Sequence, residues 1–140
     1  MDKRVVSKQL YNRATMYLYR IGMPINYLGF SFFREAVMLC VENRELLKRS
    51  LCDKVYAEIA KRKGTKWENV ERNIRNLIEQ LDEYNYTRIN ELLNVEYCVA
   101  RRKPTNRWMI SLIVDKIKLD MLMADELDMV VERVGRLIGE

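Results

Sequence analysis

Histidine is absent from the 140 residues, which removes the side chain that most often serves as a general base or a transition-metal ligand. The three cysteines, Cys40, Cys52 and Cys98, are odd in number and too scattered for a zinc site; they read as reduced, mostly buried thiols of a cytosolic protein. Five glycines, at 22, 29, 64, 135 and 139, never cluster into a phosphate-cradling loop. No run of eighteen apolar residues occurs, and the opening MDKRVVSKQLYNR lacks the apolar core of a signal peptide. Strand-like alternation, internal repeats and low-complexity tracts are missing too. The expectation is a cytoplasmic, all-α protein without a cofactor, a metal, an enzymatic centre or a membrane partner.

Charge is present and unevenly spread. Residues 1–118 carry 23 Lys/Arg and 14 Asp/Glu, a net +9, whereas residues 119–140 carry 2 and 6, a net −4. A basic body favours an anionic partner such as DNA, because neutralising phosphates releases counterions. The competing reading of such a surface is plain solubility.

Helical periodicity accounts for most of the chain. Residues 3–21 place Val6, Leu10, Ala14, Tyr17, Leu18 and Ile21 on one face, and Gly22 followed by Pro24 ends that helix. After a connection over 26–29, the stretch FSFFREAVMLCV at 30–41 reads as a buried helix. Its Phe30, Phe32 and Phe33 suggest either packing or a base-stacking surface, and helical spacing beside aliphatics favours packing. Arg34 and Glu35 are its only charges and are expected to pair with neighbouring helices. Asn43 is suited to cap a helix beginning at Arg44 that leads into another over about 51–63. Beyond Gln80 the pattern predicts a loop around Asn85 and a short helix over 87–93. Basic, irregular CVARRKP at 98–104 precedes a helix start at Thr105, with Trp108, Leu112, Ile113 and Lys116/Leu119 as its buried stripe.

The segment EIAKRKGTKWENVERNIRNLIEQ at 58–80 organises the rest. Ala60 is small enough for a second helix to cross it, and Gly64, four residues on, can adopt the positive φ that turns the chain. Val70, Ile74, Leu77, Ile78 and Leu81 form one apolar stripe, leaving Glu68, Arg72, Arg75 and Glu79 outward. That is the pattern of a helix-turn-helix whose recognition helix, about 67–80, faces the major groove. Thr65 with Glu68 three residues later is a candidate capping box. The basic run at Lys61, Arg62 and Lys63 suits phosphate contacts beside the groove.

Four stretches, IGMPINYLGFSFFREAV at 21–37, VYAEIAKRKGT at 55–65, VERNIRNLIE at 70–79 and KPTNRWMISLIVDKIKL at 103–119, carry a resemblance. The chain resembles the DNA-binding effector domain of the stage-zero sporulation response regulator of Firmicutes over about residues 14–119. The resemblance implies a compact six-helix domain at 1–119 and binding to double-stranded DNA at short boxes with a central CG step, often as head-to-tail tandem dimers. It also implies activation or repression of transcription, with the sigma subunit of RNA polymerase as a candidate partner. Glu71, Arg72 and Arg75 fall on the family's DNA-facing positions, joined by Glu68 and Asn69 as base-reading candidates. Chemistry supplies roles: arginine can bond guanine O6 and N7, and glutamate can accept from a cytosine amino group or hold an arginine. Lys63, Lys66, Arg101 and Arg102 are candidates for backbone contacts.

Three departures stand beside the resemblance. Family proteins normally carry an N-terminal phosphoacceptor receiver domain, which this sequence does not contain, so control is expected from a separate protein or not at all. Asn69 occupies a position where the family typically has arginine, and the neighbouring Trp67 packs either against its own first helix or against a thymine methyl. Residues 120–140 extend past the family's end as a further C-terminal helix, with Met123, Leu127, Val130, Val134 and Leu137 at 4, 3, 4, 3 spacing beside Val131 and Ile138. That helix either folds back on the domain or forms a homodimer. The alternative to a DNA-binding regulator is an interaction module of the same fold that modulates another regulator through this helix.

Overall fold

The computed structural model describes residues 3–95 and 104–139. Among the described residues the fold comprises six α-helices and no strand: α1 (Lys3–Ile21), α2 (Leu28–Glu42), α3 (Ala57–Lys63), α4 (Trp67–Glu79), α5 (Glu83–Leu93) and α6 (Asn106–Leu137). Helix α2 is the hub, with α1, α4 and α6 all packed on it. Its Phe30, Phe32, Phe33, Ala36, Val37, Cys40 and Val41 are buried, so the phenylalanines are packing residues rather than a stacking surface. Burial pushes the Cys40 thiol up to about 11. Cys52 is half-buried, and Cys98 lies outside the described residues.

Several local expectations need correction. The helix expected from Arg44 is a single 3-10 turn, Arg44–Lys48, capped by Asn43 and broken at Arg49, which is extended. Arg107 of α6 holds that break by donating to the carbonyls of Leu47 and Arg49. A wide turn over Cys52–Tyr56 then leads directly into α3. The loop expected around Asn85 is helix: Asp82 caps α5 in a reciprocal box with Asn85, whose buried amide also donates to the Ile21 carbonyl at 2.9 Å. Thr105 caps α6 as expected, but the buried stripe is Met109, Ile110, Ile113, Val114 and Ile117. Trp108 and Leu112 are only partly buried, and Leu119 is 48% exposed.

Helix α6 runs without a break from the body into the C-terminal extension. From Leu122 onward its apolar side chains stand exposed, so the extension does not fold back on the body. Asp120 marks the departure point: it accepts from the Tyr17 hydroxyl and lies near Lys116 at 3.6 Å and Arg13 at 3.8 Å. Burial, then the Asp120 contact, raise the Tyr17 pKa, which keeps the phenol protonated and donating.

The turn between α3 and α4 depends on one backbone conformation. Gly64 sits at φ +67° and ψ +37°, and the Thr65 N–H bonds back to the Ala60 carbonyl at 2.9 Å. A β-carbon at Gly64 would meet nothing within 4 Å, so the cost of substitution is conformational alone. Gly64→Ala should lower the unfolding free energy by about 1–2 kcal/mol in urea titration, and Gly64→Asn by less.

Candidate nucleic-acid interface

Val70, Ile74, Leu77 and Ile78 seat α4 in the core with Leu81 just beyond it, as the apolar stripe predicts. The opposite side is thereby fixed outward: Glu68, Arg72, Arg75, Asn76 and Glu79 are exposed. Trp67, in the first turn, is 40% exposed and thus not fully packed against α3.

The predicted capping box does not form. Lys66 is the N-cap residue and makes no side-chain cap bond, because the bond from the Thr65 N–H to Ala60 keeps Thr65 within the turn. The Thr65 hydroxyl instead accepts from Asn69 Nδ2 at 3.0 Å, which leaves Glu68 exposed with no capping role.

Asn69 is the centre of a short side-chain chain. Its Oδ1 accepts from Asn73 Nδ2 at 2.9 Å and from an Arg72 guanidinium nitrogen at 3.4 Å. The same Asn73 amide donates to the Asn69 carbonyl at 2.7 Å. Arg72 is therefore steered from its N-terminal side. Arg75 is steered separately, by Glu71 at 3.7 Å one turn earlier. The five predicted base-reading positions thus divide into Asn69 with Arg72, Glu71 with Arg75, and a solitary Glu68.

Glu71 lies toward the flank, where its backbone carbonyl accepts from Asn106 Nδ2 at 3.4 Å. Asn106 also donates to the Tyr56 hydroxyl at 3.2 Å, so the start of α6 fastens the back of the helix pair. Burial pushes the Tyr56 phenol up to about 12, keeping it neutral there. Tyr56, Glu71, Arg75, Thr105, Asn106 and Arg107 line an open groove beside α4.

The flanking cations differ in their freedom. Lys63 lies 4.0 Å from Glu35, and Arg62 is shared between Glu35 at 3.7 Å and Glu58 at 3.1 Å. Glu35 is thus paired across helices as the sequence suggests, whereas Arg34 lies 4.1 Å over the Tyr11 ring and donates to the Thr15 hydroxyl. Lys66 and Lys61 are exposed and form no ion pair among the described residues. Arg101 and Arg102 lie outside the described residues. The sequence does not single out Asn73, whose amide orders Asn69; Asn76, one turn after Arg72, is exposed on the same face.

A surface of this kind can present guanidinium and amide groups to base edges while lysines meet phosphates on either side. No helix among the described residues is long and apolar enough to cross a membrane. Residues 14–117 match the family model described as "Sporulation initiation factor Spo0A C terminal".

Proposed function

The chain belongs to this family of sporulation-regulator DNA-binding domains, and from that membership we propose that it is a sequence-specific transcriptional regulator reading DNA with α4 in the major groove. The observation that carries this reading is the pair of outward arginines, each held by a neighbour on the same helix: Arg72 by Asn69, Arg75 by Glu71. Ordering a guanidinium before contact reduces the side-chain entropy lost on binding a guanine edge. Lys61, Lys66, Arg101 and Arg102 supply backbone contacts in this reading. Lys63 contributes less, because Glu35 shares its charge.

The test is titration of the purified protein against a duplex carrying a CG-centred sporulation-type box and against a scrambled duplex, at two salt concentrations. A preference of about tenfold or more for the box is expected, with affinity on both duplexes falling as salt rises. Equal affinity for the two at every salt would remove sequence reading from α4.

The exposed row on the extension of α6 supports an accompanying proposal, a homodimer formed through that helix. Met123, Leu127, Val130, Val134 and Leu137 are 59, 62, 52, 49 and 78% exposed, a contiguous apolar row of a kind that marks association surfaces. The same row is what favours the alternative function, an interaction module acting on another regulator; the titration above separates the two. At a promoter the bound domain would also stand beside RNA polymerase, whose sigma subunit is the partner proposed for activation.

A further inference from the structure

The polar residues bordering the exposed row specify more than association. Written as a heptad, Leu127 and Val134 take the a positions and Met123, Val130 and Leu137 the d positions. One border, the e positions, is then apolar throughout: Ala124, Val131 and Ile138. The other border, the g positions, is charged, with Glu126 and Arg133 one heptad apart. Asp125, Asp128, Glu132 and Arg136 fall on the far side of the helix, where Glu132 and Arg136 pair with each other at 3.4 Å.

Glu126 and Arg133 have no such partner. Three and four residues from Glu126 lie Leu122, Met123, Met129 and Val130; around Arg133 lie Met129, Val130, Arg136 and Leu137. Neither residue can form the within-helix pair that Glu132 and Arg136 form, and neither has an ion pair among the described residues. The two charges lie on one side of the apolar row, at a spacing that a second copy can complement.

We propose that a second copy of this chain packs on the row in antiparallel orientation, with Glu126 of each copy against Arg133 of the other. This rests on the homodimer reading above and adds its geometry. With Leu127 facing Val130 of the other copy, Met123 faces Val134, the two charged borders meet each other, and Leu137 falls opposite Asp120, beyond the four-residue seam. Two reciprocal Glu126–Arg133 pairs close the interface on that side. On the other side Ala124 meets Val131, which extends the apolar contact. A parallel pairing instead sets each g position against the e position five residues on. Glu126 would then lie against Val131 and Arg133 against Ile138, leaving both charges beside apolar side chains without a counter-charge. The seam begins at Met123 because Asp120, the a position one heptad before Leu127, is already bound to Tyr17, Arg13 and Lys116 in the body. Continuity with the packed part of α6 also removes the nucleation cost that would make so short a seam marginal in an isolated peptide.

Charge reversal tests the orientation. Sedimentation equilibrium at low salt should give a dimer for the unaltered chain, with circular dichroism confirming that every variant is folded. Glu126→Arg sets arginine against arginine twice, and Arg133→Glu sets glutamate against glutamate twice. Each should raise the dimer dissociation constant by roughly fivefold to thirtyfold. The double variant should return toward the unaltered value. An equimolar mixture of the two single variants should form heterodimers, because both pairs are then restored between unlike chains. A dimer indifferent to either substitution, or single variants that gain nothing on mixing, would overturn the antiparallel arrangement while leaving the homodimer in place. A chain that sediments as a monomer at all concentrations would overturn the homodimer and this geometry with it.

Discussion

Gly29→Ala should both destabilise the domain and weaken its hold on DNA, although residue 29 lies outside the proposed recognition helix. Gly29 is buried near the start of α2, where that helix crosses α4. A β-carbon there would press on the Asn73 carbonyl oxygen and lie 3.0 Å from the Asn73 carbonyl carbon and 3.1 Å from Leu77 Cβ. Two of those atoms belong to the backbone of α4, so no side-chain rotation can relieve the contact. Either the two helices separate, opening the core in which Phe33 and Ile74 are buried, or α2 shifts along its axis. Overpacking of this sort costs about 1–3 kcal/mol. The urea midpoint should fall accordingly, and box affinity measured well below the transition should fall as well. Gly64→Ala is the comparison, since its cost is one of backbone conformation with no contact to relieve. A Gly29→Ala protein with unchanged stability would mean that α2 and α4 do not meet at this point.

Gly29 also illustrates what was and was not legible in the sequence. Periodicity located the helices and the inward face of α4, because Val70, Ile74, Leu77, Ile78 and Leu81 repeat at the helical spacing. Close approach between α2 and α4 has no such local signature, and Gly29 reads in isolation as part of a connection. Asn85 was misplaced for a related reason. Asparagine favours turns, and only the pairing with Asp82 three residues earlier reveals it as a capping partner. In α6, Trp108 drew the start of the predicted stripe one position away from Met109, although Ile113 falls on both and the helix start at Thr105 was legible from Pro104 and the cap. Thr65 has the right chemistry for a cap, but the bond from its own backbone to Ala60 holds it one residue too early.

The candidate site shows the same division. Arginines at 72 and 75 were legible as outward residues because the stripe fixes the helix phase. Which neighbour holds each one was not, since Glu71 and Asn69 both stand within reach of an arginine by spacing alone. Asn69 stands out in the sequence only through the resemblance; in the structure it joins Thr65, Arg72 and Asn73 in one chain of hydrogen bonds. The Thr65 hydroxyl at the end of that chain ties it to the turn, so Asn69 orders Arg72 from a fixed position.

The different holders predict different results when the arginines are removed. Arg72→Ala takes away one guanidinium but leaves Asn69 bonded to Asn73 and Thr65, so the helix surface stays satisfied. Its loss on the box should be about 1–3 kcal/mol, the value of a single bidentate base contact, with little change on scrambled DNA. Arg75→Ala does more, because it uncovers the Glu71 carboxylate, which is only 27% exposed and would then face the phosphate field without its counter-charge. Its loss should exceed that of Arg72→Ala at low salt and approach it as salt screens the repulsion. Adding Glu71→Gln to Arg75→Ala should recover part of the affinity on both box and scrambled duplexes, because the repulsion it removes is not sequence-specific. The selectivity lost with the guanidinium should not return. If Arg72→Ala and Arg75→Ala weaken box and scrambled duplexes by equal factors, the two arginines are backbone contacts and α4 does not read bases. If Glu71→Gln recovers nothing, the Glu71–Arg75 pair is not what sets the electrostatic character of this face.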